Sequence, residues 1–360
     1  MSDGRYVGGA SGPCEPSTRD NCSRELGAAG RAGSKAGLLS ANQCSRRAFL
    51  RGTSLAFGAA LGAAGSYVAV PPAFAAPSRD APKDTKPFKI SLSQSSLHKE
   101  LAASRLDPLD FARVANGFGI DAIEYGAQFY KGRAADMPYL GELKRRAAGE
   151  GVCSLLILVE GEGDFGAPEP KARQRAMEAH KKWVEAAAFL GCHAIRVDMA
   201  SRGGEDDQVS WVSEGLRRLC EFSEPFGIDV LVENHAGLSA RGSWLVEVIH
   251  AVKHPRCGSL PDFGNFDLGG GKQYDRYTGV RELMPFARSV SAKSYDFDER
   301  GEESSINYAL MLKIVTDAGY HGYVGIDYDG QRLSEAAGIQ RTKSLLERVQ
   351  SQLAARAERR

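Results

Sequence analysis

One pattern constrains this chain more than any other. Short apolar runs alternate with amphipathic stretches eight times, the runs falling at residues 88–92, 120–125, 152–159, 194–197, 228–232, 258–260, 289–292 and 324–326. Each run is short and near-continuously apolar, as expected of a strand buried on both faces in a parallel sheet. The stretches between them have helical spacing. Asp107-Pro108 starts the first, and Gly119, Gly151, Gly191, Gly227 and Gly319 stand at helix stops. No G-x-G-x-x-G turn follows a run, which counts against a dinucleotide-binding sheet. Eight strand–helix units in roughly 270 residues predict an α/β fold, a (β/α)8 TIM barrel over residues 88–357. A doubly wound open sheet is the alternative.

The runs also end alike. Residues 228–237 read I-D-V-L-V-E-N-H-A-G, so the fifth run stops at Glu233, Asn234 and His235 before Gly237 releases the chain. The others stop at or beside Glu124, Glu160, Asp198, Asp262, Lys293 and Asp327. In parallel α/β proteins the functional groups gather at the carboxyl ends of strands. In a closed barrel these groups ring one mouth. Crowded carboxylates repel one another unless some stay protonated or a cation sits among them. A divalent metal resolves the conflict. Oxygen ligands suit Mn²⁺ or Mg²⁺, and an imidazole such as His235 admits Zn²⁺ or Co²⁺. Glu160, Asp198, Asn234 and His98 on the first loop are candidate substrate contacts. Plainer roles stand beside these: Asp262 as the cap of a turn, Lys293 as a structural countercharge, and Glu233 as a hydrogen-bond acceptor.

Composition narrows the function classes. There are 46 basic and 45 acidic residues, a net charge of +1, which gives no support for a nucleic-acid partner. Hydrophobic residues make up 42%, enough for a large core. Cys153, Cys192, Cys220 and Cys257 form no C-x-x-C pair, so a zinc ribbon is not expected; buried thiols are, with at least one disulfide as the alternative.

Residues 1–43 are rich in Gly, Ser, Ala and charge without apolar periodicity, and read as disordered. Ser45-Arg46-Arg47-Ala48-Phe49-Leu50-Arg51 follows, then an apolar stretch over 55–70 and Ala73-Phe74-Ala75. This is the layout of an export signal, and the Arg46-Arg47 pair before Phe-Leu resembles a twin-arginine signal. Residues 1–75 are thus expected to be a disordered region plus signal peptide, with 76–87 a linker. The twin-arginine export machinery is an expected partner, and the destination is periplasmic or extracellular. An uncleaved anchor is the alternative.

V-E-N-H-A-G at run five, P-D-F-G-N at run six, a lysine closing run seven and G-Y-V-G-I-D-Y-D-G at run eight together resemble the xylose isomerase-like barrel superfamily over roughly residues 89–346. That group includes sugar-phosphate isomerases/epimerases, ketose 3-epimerases and inosose dehydratases. The resemblance implies a metal held by Glu233, Asp262 and Asp327, the last a methylene shorter than the family's Glu. At strand seven the family's His-x-Lys reads Ser291-Ala292-Lys293, which leaves the fourth position to His235 or water. Asn265 stands where substrate is often bound.

A metal-dependent isomerase or epimerase acting on a sugar or polyol is the activity implied. Glu233 would take a proton beside a carbonyl, Lys293 would face the enediolate and Asp327 would return the proton. A β-eliminating lyase or dehydratase on a keto-sugar or 3-keto-glycoside is the alternative. A non-catalytic sugar-binding barrel is a second. Whether the chain forms a homo-oligomer is left open.

Overall fold

The eight apolar runs form eight parallel strands: β1 (Lys89–Ser93), β2 (Ala122–Gly126), β3 (Cys153–Val159), β4 (Ala194–Val197), β5 (Asp229–Glu233), β6 (Cys257–Leu260), β7 (Val290–Ser294) and β8 (Tyr323–Tyr328). The computed structural model describes residues 86–199 and 205–357. Residues 1–85, including Arg46, Arg47 and the whole export reading, lie outside the described residues.

Each strand pairs with its neighbour in chain order, and β1 pairs with β8 in the register Lys89↔Tyr323 to Leu92↔Ile326. The remaining seam, β6 against β7, has no continuous ladder. Pro261 follows β6 and carries no N–H to donate. Isolated parallel bridges, Ser259↔Ala287 and Asp262↔Ser291, join the seam instead. The Ser291 amide donates to the Pro261 carbonyl at 2.9 Å, and the Phe263 amide to the Ser291 carbonyl at 3.1 Å. This kinked seam turns Asp262 inward.

Helices α1 (His98–Ala102), α2 (Phe111–Gly117), α3 (Met137–Gly149), α4 (Pro170–Leu190), α5 (Glu205–Ser223), α6 (Gly242–Val252), α7 (Arg276–Leu283), α8 (Tyr308–Asp317) and α9 (Glu335–Ala357) fill the connections. The longest of the middle helices, α4, shows why. Pro170 opens it, where a missing N–H costs nothing, and Gly191 closes it at φ 87°. Its buried residues Ala176, Met177, His180, Trp183, Val184, Ala187 and Leu190 recur at three- and four-residue spacing.

Alternation along the strands divides the core. Ile157, Val159, Ile195, Val197, Val230, Val232, Val324 and Ile326 join the helices in the outer core. Leu156, Leu158, Ala194, Leu231 and Leu260 form a separate inner cluster in the lumen. Fully burying one such side chain contributes roughly 1.5–3 kcal/mol.

Two features were not expected from the sequence. One is the short α1. The other is a hairpin of Asp267–Gly269 with Lys272–Gln273, turned by three successive positive-φ glycines, Gly269, Gly270 and Gly271. Strands this short carry no apolar run to mark them. Cys192, Cys220 and Cys257 are buried free thiols. Among the described residues no helix is long and apolar enough to cross a membrane.

Candidate active site at the barrel mouth

The strand ends enclose a cavity of about 200 Å³, lined among others by Glu124, Glu160, Arg196, Glu233, Lys293 and Asp327. All six lie at inward-facing strand positions or directly beyond a strand end. Carboxylates crowded at one mouth need countercharge, and much of it comes from two buried cations of the chain itself.

Arg196, in the middle of β4, is 5% exposed. Its Nε lies 2.8 Å from Glu233 Oε2 and its Nη2 2.9 Å from Glu160 Oε1. Burial opposes its charge, but Glu233, Glu160 and Asp198 outweigh this and hold the guanidinium above its ordinary range. Lys293 Nζ lies 2.7 Å from Asp327 Oδ2. Burial opposes this charge too, and Asp327, Asp262 and Glu233 together keep the ammonium well above its ordinary range.

Glu233 is the most exacting of the acids. Burial pushes its pKa up to about 8, against the pull of Arg196, while Asp262 adds to the rise. The Arg196 Nε–H is close to Oε2 without a well-directed hydrogen bond, so Oε2 is buried within an ion pair and the basicity of the carboxylate rises with burial.

Asp262 is fully buried and differently held. Its Oδ2 accepts from the Ser291 hydroxyl at 2.7 Å, and its Oδ1 accepts from the amides of Gly264 at 2.7 Å and Asn265 at 2.9 Å. Burial raises its pKa, and Lys293 is the largest opposing influence. Asn234, expected to meet substrate, is buried to 0% exposure. Its amide donates to the carbonyls of Asp262 and Asn265 at 2.9 and 3.1 Å and accepts from the Asp262 amide at 2.8 Å. With those groups committed, Asn234 is a staple between the ends of β5 and β6, not a substrate contact.

The other expected residues separate. Asn265, His98, His235 and Glu160 line the cavity. His98 Nδ1 is 2.9 Å from the Ser95 carbonyl and 3.4 Å from Glu335 Oε1, which fixes the ring. His235 sits on the exposed rim. Asp198 is half-buried and is not part of the cavity lining; it acts on the site through the charge of Arg196.

Two residues gain a part the sequence reading did not give them. Arg196 is one, and its signal was a lone charge inside the apolar run Ala194–Val197. The other is Glu124, noted at its strand end but given no role. It is 2% exposed and accepts from the Ser91 hydroxyl at 2.7 Å. Burial pushes its pKa to about 7, with the Ser91 bond opposing. Gly325 on β8 makes room for it: an added Cβ there would collide with the Glu124 carboxyl.

The donor set does not fit the four-ligand metal site expected of strands five to eight. Among the described residues, no three His, Cys, Asp or Glu side chains converge as a metal-holding group. Ser291 stands at the histidine position and spends its hydroxyl on Asp262. Lys293 and Arg196 hold the other two acids, and a divalent ion there would lie against two fixed positive charges.

The sequence pattern of the xylose isomerase-like TIM barrel matches residues 112–349. The chain belongs to that family. Among solved structures, a 3-keto-D-glucoside 4-epimerase from E. coli superimposes with a TM-score of 0.58 at 15% identity, covering 72% of this chain and 99% of that one. Among curated proteins, the 3'-dehydrocarminate deglycosidase alpha subunit of a Microbacterium species is 42% identical over 48 residues, 13% of this chain and 14% of its own length. The C-glycoside deglycosidase alpha subunit of Microbacterium trichothecenolyticum is 30% identical over 83 residues, 22% of each. The match thus spans less than a quarter of either curated relative. At 15% identity the structural likeness speaks for the family's fold alone.

Proposed function

We propose that this family member is an enzyme that takes the proton beside the carbonyl of a keto-sugar and returns it to the other face, giving an epimer or isomer. The observation that carries this reading is the Glu233 carboxylate itself, which lines the mouth cavity and is made strongly basic by burial. In this mechanism Glu233 abstracts the proton. The carbon keeps the bonding pair and the carbonyl oxygen takes up the negative charge. Across the mouth, the Lys293 ammonium that is hydrogen-bonded to Asp327 supplies a proton through Asp327 in the second half, and the pair regains it from solvent as Glu233 releases the one it took. The substrate class is supported by what two similar proteins are named for, a 3-keto-D-glucoside and 3'-dehydrocarminate.

A second reading rests on Glu124. A buried carboxylic acid that holds its proton to about pH 7 beside the same cavity suits protonation of a departing oxygen. The same carbanion would then expel the group at the next carbon, and the enzyme would be a β-eliminating lyase. The deglycosidase relatives favour keeping this outcome in the test. Export by the twin-arginine route belongs to the same proposal, supported by Arg46, Arg47 and the stretch after them; a signal-fused reporter that stays in the cytoplasm would remove it.

The test is incubation of the chain from Ala76 onward with 3-keto-glucosides in D₂O, followed by NMR. Deuterium at the carbon next to the carbonyl is expected, with an epimer or an unsaturated sugar as product. Glu233→Gln should slow wash-in by about 10²–10⁴-fold without unfolding the protein. Equal wash-in by that variant, or none by the wild type, would overturn the reading.

A further inference from the structure

We infer that Lys293 and Arg196 stand in the electrostatic place of the divalent metal that the family resemblance implies, making this barrel a metal-independent member. The inference deepens the reading above in one respect only, the identity of the groups that face the developing negative charge. Its metal arm does not rest on that reading.

Three contacts carry it, one at each acid a metal would need. Glu233 has a guanidinium at 2.8 Å, Asp327 an ammonium at 2.7 Å, and Asp262 a hydroxyl at 2.7 Å from the oxygen left free by the turn amides. These partners are built in, not swung in from the surface. Arg196 is 5% exposed, and the Lys293 side chain 12%. Arg196 is further anchored by Glu160.

The countercharges are already placed: Arg196 sits between Glu233 and Glu160 and Lys293 against Asp327, so a divalent ion would press against both cations. The sequence departures point the same way. Replacing a neutral imidazole by Ser291 removes a ligand and supplies a donor to Asp262. Shortening the last acid to Asp327 draws its carboxylate back toward β8, where Lys293 meets it. A planar enediolate at the cavity would then find an ammonium and a guanidinium, which attract an anion with no bound ion between.

The experiment uses the chain from Ala76 onward, purified without chelator. Elemental mass spectrometry is expected to find far less than one Mn, Zn, Co or Mg per chain, and saturating MnCl₂ or ZnCl₂ to leave the melting temperature unmoved. Oxalate, a planar dianion resembling an enediolate, should bind in the presence of EDTA. Its affinity should drop at least tenfold in Lys293→Met and in Arg196→Lys, a variant that keeps the charge and loses the two-sided geometry.

One metal per chain that disappears in Asp262→Ala would overturn the inference and leave proton abstraction standing. Oxalate binding that requires added metal would overturn it too. Failure of deuterium wash-in, with the metal and oxalate results as expected, would instead remove the reaction and leave the cation-held site.

Discussion

The lumen of this barrel has two unlike halves. Along β3 to β6 its wall is built from Leu156, Leu158, Ala194, Leu231 and Leu260. Along β7, β8, β1 and β2 the same inward positions carry Ser291, Lys293, Gly325, Asp327, Ser91 and Glu124. The apolar half is held by contact and tolerates no unpaired charge. The polar half is held by pairings: Ser291 to Asp262, Lys293 to Asp327, Ser91 to Glu124. Arg196 places a charge within the apolar half, rooted in β4 and ending against Glu233 on β5. The apolar wall thus gives Glu233 a low-dielectric floor that raises its basicity, and the polar wall supplies the charges that keep it in place.

The largest expected effect comes from removing the cation set into the apolar half. Arg196→Met leaves Glu233 buried beside Asp262 without its nearest countercharge. A loss of about 3–5 kcal/mol is expected in urea unfolding. An unchanged midpoint would break the claim that charge pairing holds this region. Next comes Leu231→Ala, in the apolar half alone. About 3 kcal/mol should be lost through lost burial and a residual cavity, and deuterium wash-in by the folded variant should fall as the floor beneath Glu233 opens. Wash-in at the wild-type rate would mean that the apolar wall does not set the basicity of Glu233.

Ser291→Ala tests the polar half more gently. Removing a hydroxyl bonded to a carboxylate should cost about 1.5 kcal/mol, read in the same unfolding experiment. Titration gives the smallest effect. Glu124 has its pKa raised to about 7, chiefly by burial, so the folded chain holds this proton more tightly than the unfolded one. The stabilisation is full below about pH 4.5 and is lost as pH rises through 7. Melting temperature across that window should therefore decline less in Glu124→Gln than in the wild type. Parallel curves would mean that Glu124 does not keep its proton when folded.

Much of the frame was legible in the chain itself. The runs at 152–159 and 194–197 and the helix bounded by Pro170 and Gly191 need only local chemistry: apolar continuity, a fixed φ, a left-handed stop. Glu160, Glu233, Lys293 and Asp327 could be placed at one mouth because strand direction alone puts them there. The hairpin around Gly269–Gly271 was not legible, because two- and three-residue strands bury too little to leave a pattern. Nor was the staple made by Asn234. A polar residue next to Glu233 has no local mark that separates holding Asp262 from holding a ligand.

By itself, then, the sequence determined the eightfold alternation and which residues gather at the carboxyl ends, since both follow from periodicity and chain direction. Only the tertiary structure decided how the gathered charges are neutralised. Whether Glu233 faces a metal or Arg196 depends on which side chains meet between paired strands, β4 with β5 and β7 with β8. Such contacts join residues tens of positions apart. Distance along the chain carries no information about them, because it is the pairing and register of the strands that bring those side chains together.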